Sequence, residues 1–189
     1  MSGMRVCFVA PRAYPVLARR HDVPVAGGAE LQQAIVAREL ARRGYDVSMV
    51  SLDFGQQSRV EVDGVKVLAV PPARARGLPG LRWVHPRLTD LIRVAVGANA
   101  DIYYQRSSGA YTACAALAAR CRRARCVYAA ASDDDLNVSP GSRIPTRRDR
   151  WLYRAGLRAA DRILVQNVFQ LRRAERHGRH RVLLVPNCF

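Results

Sequence analysis

Short apolar runs that alternate with amphipathic stretches constrain the fold of this 189-residue chain more than any other feature. Segments 5–10, 46–52, 65–70, 101–105, 126–130, 161–165 and 181–185 read as strands, and several are continuous β-branched or apolar runs, as strands buried on both faces require. Helical periodicity covers 29–43, 86–97, 111–122, 147–160 and 168–177. The alternation predicts an α/β domain with a mostly parallel sheet of about seven strands and helices on both faces. Gly44 and Gly178 stand where helices end. Asp63-Gly64 separates 60–62 from 65–67 as a hairpin turn. In the first long helix Leu31, Ala34, Ile35 and Leu40 are expected against the sheet, with Arg38, Arg42 and Arg43 outward.

Between the first strand and that helix lies Gly27-Gly28-Ala29-Glu30. Glycine lets a backbone approach a ligand without an intervening Cβ. A helix N-terminus adds unpaired N–H groups and the positive end of the helix dipole, which suits a phosphate. The stretch 11–26 before it is too long for a dinucleotide-binding turn, and no G-K-[ST] follows to make a P-loop. It is read as a loop that either contacts substrate or simply covers the surface.

The net charge is +16, almost all from arginine, since Lys66 is the only lysine. Such a charge favours anionic partners: a phosphorylated substrate, an anionic membrane or nucleic acid. No nucleic-acid-binding motif accompanies it, so that partner is disfavoured. No apolar run approaches the roughly 20 residues of a membrane span, and no signal-peptide pattern opens the chain. A cytoplasmic protein is expected, with peripheral contact to the inner membrane face as an option. The five cysteines (Cys7, Cys114, Cys121, Cys126, Cys188) form no C-x-x-C pair and read as reduced structural thiols. His21, His85, His177 and His180 show neither triad nor metal spacing. No cofactor and no metal site is expected.

Gln105 and Arg106 end a strand where the sheet should meet its ligand, and the arginine can pair with a phosphate or carboxylate or stay solvated. Ser132, Asp133 and Asp134, with Asp135, follow the next strand. They can bind sugar hydroxyls, cap a turn, or hold a metal through oxygen. Arg147, Arg150, Arg154 and Arg158 form a helical stripe beside Trp151, Leu152, Ala155 and Ala159. That face either docks on anionic lipid or packs on the sheet with its arginines merely solvated.

Four segments in order carry a family resemblance. They are GGAELQ at 27–32, with its helix ending in Arg43-Gly44-Tyr45-Asp46; ADIYYQRS at 100–107; ADRILVQN at 160–167; and Val185-Pro186-Asn187. Together they resemble the N-terminal domain of a family-4 glycosyltransferase of the GT-B fold, across essentially the whole chain. The resemblance implies a Rossmann-like three-layer domain, one half of a GT-B fold, on the acceptor side of a retaining transferase. It implies a nucleotide-sugar donor and a hydroxyl-bearing acceptor, with Gly27, Gly28 and Ala29 over the donor diphosphate. The nucleotide-sugar-binding C-terminal domain of the family, with its E-x7-E motif, is not in this sequence. It is expected in trans or lost, and the chain alone is expected to be inactive. Two positions depart from the pattern. Ala131-Ser132-Asp133 stands where many members carry a sugar-contacting histidine, and Cys188 replaces the glycine after Asn187. The alternative function is a stand-alone basic module that binds an anionic membrane or polymer.

Overall fold

A computed structural model describes residues 3–20, 22, 27–72, 84–137, 144–176 and 181–187. Eight strands form one sheet in the order β3-β4-β2-β1-β5-β6-β7-β8. They are β1 (Arg5–Val9), β2 (Asp46–Leu52), β3 (Arg59–Val62), β4 (Val65–Val70), β5 (Ile102–Arg106), β6 (Arg125–Ala129), β7 (Arg162–Val165) and β8 (Val182–Leu184). Every pairing is parallel except β3 with β4. The extra strand beyond the seven expected is β3, the outer arm of the Asp63-Gly64 hairpin. Both turn residues have positive φ, 50° and 77°, as a two-residue turn matching the sheet twist requires.

The helices are α1 (Tyr14–Leu17), α2 (Gly28–Arg42), α3 (Arg87–Gly97), α4 (Tyr111–Arg122), α5 (Arg147–Ala159) and α6 (Val168–Arg176). Alternate residues of β1 feed different cores. Cys7 and Val9 pack with residues of α3, α4 and α5, whereas Val6 and Phe8 pack with α1 and α2. Burial on both faces is why the strand reads as a continuous apolar run.

Three local expectations are corrected. The stretch read as a loop holds α1, whose Tyr14 and Leu17, with Ala13 before it, are buried in the core beside α2. Residues 21 and 23–26 of that stretch lie outside the described residues, as do His177, Gly178 and His180. On α2 the inward residues are Gln33, Ala34 and Ala37, while Leu31 and Ile35 are 47% and 38% exposed. Small alanines let the helix approach closely, and that rotation turns the larger side chains outward. On α5 the buried residues are Tyr153, Gly156 and Leu157, and Trp151 is 67% exposed. The helix is seated on α4 by Gly156, where an added Cβ would come within 2.5 Å of the Ala113 nitrogen.

No helix among the described residues is long and apolar enough to cross a membrane.

Candidate functional site

Strand order dictates where a ligand can enter. The chain moves outward from β1 through β2 to β4 and β3, then returns to place β5 on the other side of β1. Connections therefore leave β1 and β5 in opposite directions, which opens a crevice at their carboxyl ends. A cleft of about 780 Å³ lies there. Its walls include Gly27, Gly28 and Ala29 from the start of α2, Arg106 to Gly109 after β5, Ser132 and Asp135 after β6, Asp149 of α5, and Asn187.

Gly27 caps α2 in extended conformation, and its carbonyl accepts the Glu30 and Leu31 amides at 3.1 and 3.4 Å. The Gly28 and Ala29 amides precede any intrahelical acceptor. Neither glycine is demanded by the protein's own packing. A Cβ on Gly28 would meet nothing within 4 Å, one on Gly27 only the Glu30 carboxylate at 3.9 Å, and neither residue has a positive φ. The space those side chains would occupy belongs to the cleft.

Arg106 closes β5 and is only 7% exposed. Its Nη2 donates to Asn187 Oδ1 at 3.1 Å, while its Nε is buried with no hydrogen-bond partner. Asn187 donates in turn to Gln166 Oε1 at 2.8 Å, and Gln166 donates to the Ala130 carbonyl. Gln105 points the other way. Its amide donates to the Arg106 and Ser107 carbonyls at 2.7 and 2.9 Å and accepts from Thr112 Oγ1 at 2.8 Å. It shapes the loop from inside and lines a recess of about 180 Å³ adjoining the cleft.

The acidic triplet divides. Asp135 is buried and accepts the Ala131 amide at 2.7 Å and the Ser132 hydroxyl at 2.9 Å. Tyr128 donates to it at 3.4 Å, and Tyr153 donates to its carbonyl. These bonds shape the turn after β6 and present Ser132 to the cleft. Asp133 accepts from Asn167 at 3.0 Å and Gln170 at 2.9 Å, and those two amide donors hold its carboxyl below the usual range. Neither Asp133 nor Asp134 lines the cleft. No group of three or more potential metal ligands gathers among the described residues.

The cleft also takes in Arg12, from the stretch 11–26, and residues to which sequence reading assigned no cleft role. Arg12 follows β1, Arg87 lies with its guanidinium carbon 5.7 Å from the Tyr111 ring centre, and Ser107-Ser108-Gly109 follows β5. Ser107 has φ of 80°, a left-handed conformation unusual for serine. The signal available was a Ser-Ser-Gly step between a strand and a helix. Arg147, Arg150, Trp151, Arg154 and Arg158 all lie on α5 and none lines the cleft. Arg150 is engaged by the Ile144 carbonyl at 2.9 Å.

Residues 27–188 match the family described as Glycosyl transferase 4-like domain. The chain belongs to that family. The match begins at Gly27, the first residue of the cleft's glycine pair. Among solved structures this glycosyltransferase-4-like domain is similar to the UDP-GlcNAc 2-epimerase of Methanocaldococcus jannaschii. The TM-score is 0.62 and the identity 9%, over 97% of this chain and 46% of that one. It is also similar to UGT89C1 of Arabidopsis thaliana, solved with UDP. There the TM-score is 0.55 and the identity 10%, over 99% of this chain and 49% of that one. These likenesses identify the fold as the Rossmann-like unit of GT-B proteins, and the chain spans just under half the length of each. Curated protein sequences yield no significant match.

Proposed function

We propose that this domain is the acceptor side of a retaining glycosyltransferase that moves a sugar from a nucleoside-diphosphate donor to an acceptor hydroxyl. The observation that carries this reading is the mouth of α2. Two glycines that the fold itself does not need face the cleft, beside first-turn amides that have no intrahelical acceptor. Charge develops on the departing diphosphate during transfer, and fixed N–H groups stabilise it without reorganising. In this scheme Gly27, Gly28 and Ala29 hold the diphosphate, Arg106 and Ser132 meet the acceptor, and Gln105, Asp133 and Asp134 support that wall. A second Rossmann-like lobe closes over the donor and excludes water. The roughly twofold greater length of the solved relatives supports its existence.

Calorimetric titration of UDP into the chain and its Gly28→Ala variant tests the reading. Nothing in the protein resists the methyl group, so the variant should fold with unchanged or slightly higher stability. Its UDP affinity should drop about tenfold, ~1.4 kcal/mol. Equal affinity in the two proteins would defeat the proposal.

The outward position of Trp151, next to Arg147 and Arg154 on α5, supports peripheral contact with anionic lipid. Sedimentation with vesicles containing phosphatidylglycerol should retain the wild type and release Trp151→Ala. Equal retention would exclude that role.

A further inference from the structure

The recess of about 180 Å³ beside the main cleft is lined by two buried residues that each carry an unmet hydrogen-bonding atom, of opposite kind. It lies between the carboxyl ends of β1 and β5 and is lined by Arg12, Glu30, Gln33, Gln105 and Arg106, among others. One unmet group is Arg106 Nε, a donor, and the other is Gln33 Oε1, an acceptor on a side chain only 3% exposed. The Gln33 amide orientation is assigned from its Nε2, which donates to the Ala29 carbonyl at 3.3 Å, where an oxygen would face another oxygen. Buried polar groups in native proteins almost always find partners, so a donor and an acceptor orphaned in one recess call for an external one.

Charge narrows the choice. Arg106 has no carboxylate partner among the described residues, its bonded neighbours being the neutral Asn187 and Tyr104. Arg12 lines the same recess and forms no ion pair among the described residues. Glu30 is the one acid among the described lining residues. Two guanidinium groups against one carboxylate leave a positive recess that also offers two acceptors, Gln33 Oε1 and Glu30. A planar guanidinium fork matches an oxyanion, while the acceptors match hydroxyl donors.

Resting on the reading that the cleft takes a glycosyl acceptor, we infer that this recess receives an oxyanion, carboxylate or phosphate, borne by that acceptor beside a free hydroxyl. The acceptor class is then an acidic sugar or polyol. The donor diphosphate stays at the mouth of α2 in the main cleft. Gln33 lines the recess and not the cleft, so the two sites are separable by substitution.

The experiment is a titration of glucuronate, glucose 6-phosphate, glucose and UDP into the full chain, repeated with Gln33→Leu, Arg12→Ala and Arg106→Lys. A two-dimensional ¹⁵N spectrum of arginine Nε–H groups is recorded in parallel, with Arg106 assigned by its loss in Arg106→Lys. At least one acidic compound should bind about tenfold more tightly than glucose and move the Arg106 Nε–H resonance. Which acid does so tells carboxylate from phosphate. Gln33→Leu removes an unmet polar atom and should fold well, with acid affinity down about threefold or more and UDP affinity unchanged. Arg12→Ala, at an exposed position, should lower acid affinity about fivefold. Equal binding of glucose and both acids, or no movement of the Arg106 resonance, would overturn the inference while leaving the UDP result intact. Competition of the acids with UDP, with Arg106→Lys losing both, would assign Arg106 to the donor and likewise overturn it. Loss of UDP binding in Gly28→Ala bears only on the donor reading.

Discussion

Arg106 Nη2 donates to Asn187 Oδ1 at 3.1 Å across 81 residues of sequence. The bond joins the end of β5, at the centre of the sheet, to the segment that follows the edge strand β8. Asn187 also donates to Gln166 after β7, so one amide ties three strand ends into the cleft wall. Any movement of chain beyond Asn187 is thereby coupled to the orientation of a buried guanidinium.

Asn187→Ala should therefore destabilise the domain although it removes only a small side chain near the rim. It leaves a second nitrogen of Arg106 without its partner, at a cost of about 1–3 kcal/mol. Urea unfolding monitored by circular dichroism gives the value, and a midpoint equal to wild type would refute the coupling.

Two glycines should respond to alanine with opposite sign. Gly28→Ala opens onto empty space and should stabilise by about 0.5 kcal/mol through the unfolded chain. Gly156→Ala also improves helix propensity, yet its Cβ would lie 2.5 Å from the Ala113 nitrogen and 2.6 Å from the Thr112 carbonyl carbon. Backbone cannot yield as a side chain can, so a loss of about 2–3 kcal/mol is expected. Paired thermal melts of the two variants check both signs.

Stability should decline in acid through identifiable carboxylates. Hydrogen bonding from Arg5 lowers Asp101 from 3.8 to about 2, and hydrogen bonding from Arg42, then Arg43, lowers Glu39 from 4.5 to about 2. The folded chain binds fewer protons than the unfolded chain between those values, so this contribution is complete above about pH 4.5 and vanishes towards pH 2. Asp101→Asn should flatten the dependence of Tm on pH between 4 and 2. Both carboxylates are solvent-accessible, so added salt should flatten it too.

Thiol reactivity should separate the cysteines. Burial pushes Cys7, Cys114 and Cys126 up to about 12, whereas Cys121 is exposed. In a Cys188→Ser background, a chromogenic disulfide reagent should titrate one thiol in native protein and four in guanidinium. A second fast thiol in the native state would contradict the packing described.

Strand and helix identity were legible because each β-strand buried on both faces must be apolar throughout, and each covering helix must carry a polar side. Asp46–Leu52, Val65–Val70 and Tyr111–Arg122 coincide with the expected elements at both ends, and the other expected boundaries shift by at most one residue. The glycine pair was legible for a local reason as well, since a helix mouth without Cβ atoms leaves its mark in consecutive residues. The inward faces of α2 and α5 were not. Leu31, Ile35 and Trp151 are large and apolar, yet close packing through Ala34, Ala37 and Gly156 turns them outward. Nor could the roles of Gln33 and Asp135 be read from their neighbours in sequence. The order of apolar and polar residues determined the layers and put a glycine pair at the mouth of α2. Only the tertiary structure decided which polar side chains are already satisfied and which are left open, because a hydrogen bond spanning 81 residues leaves no periodic trace in the chain.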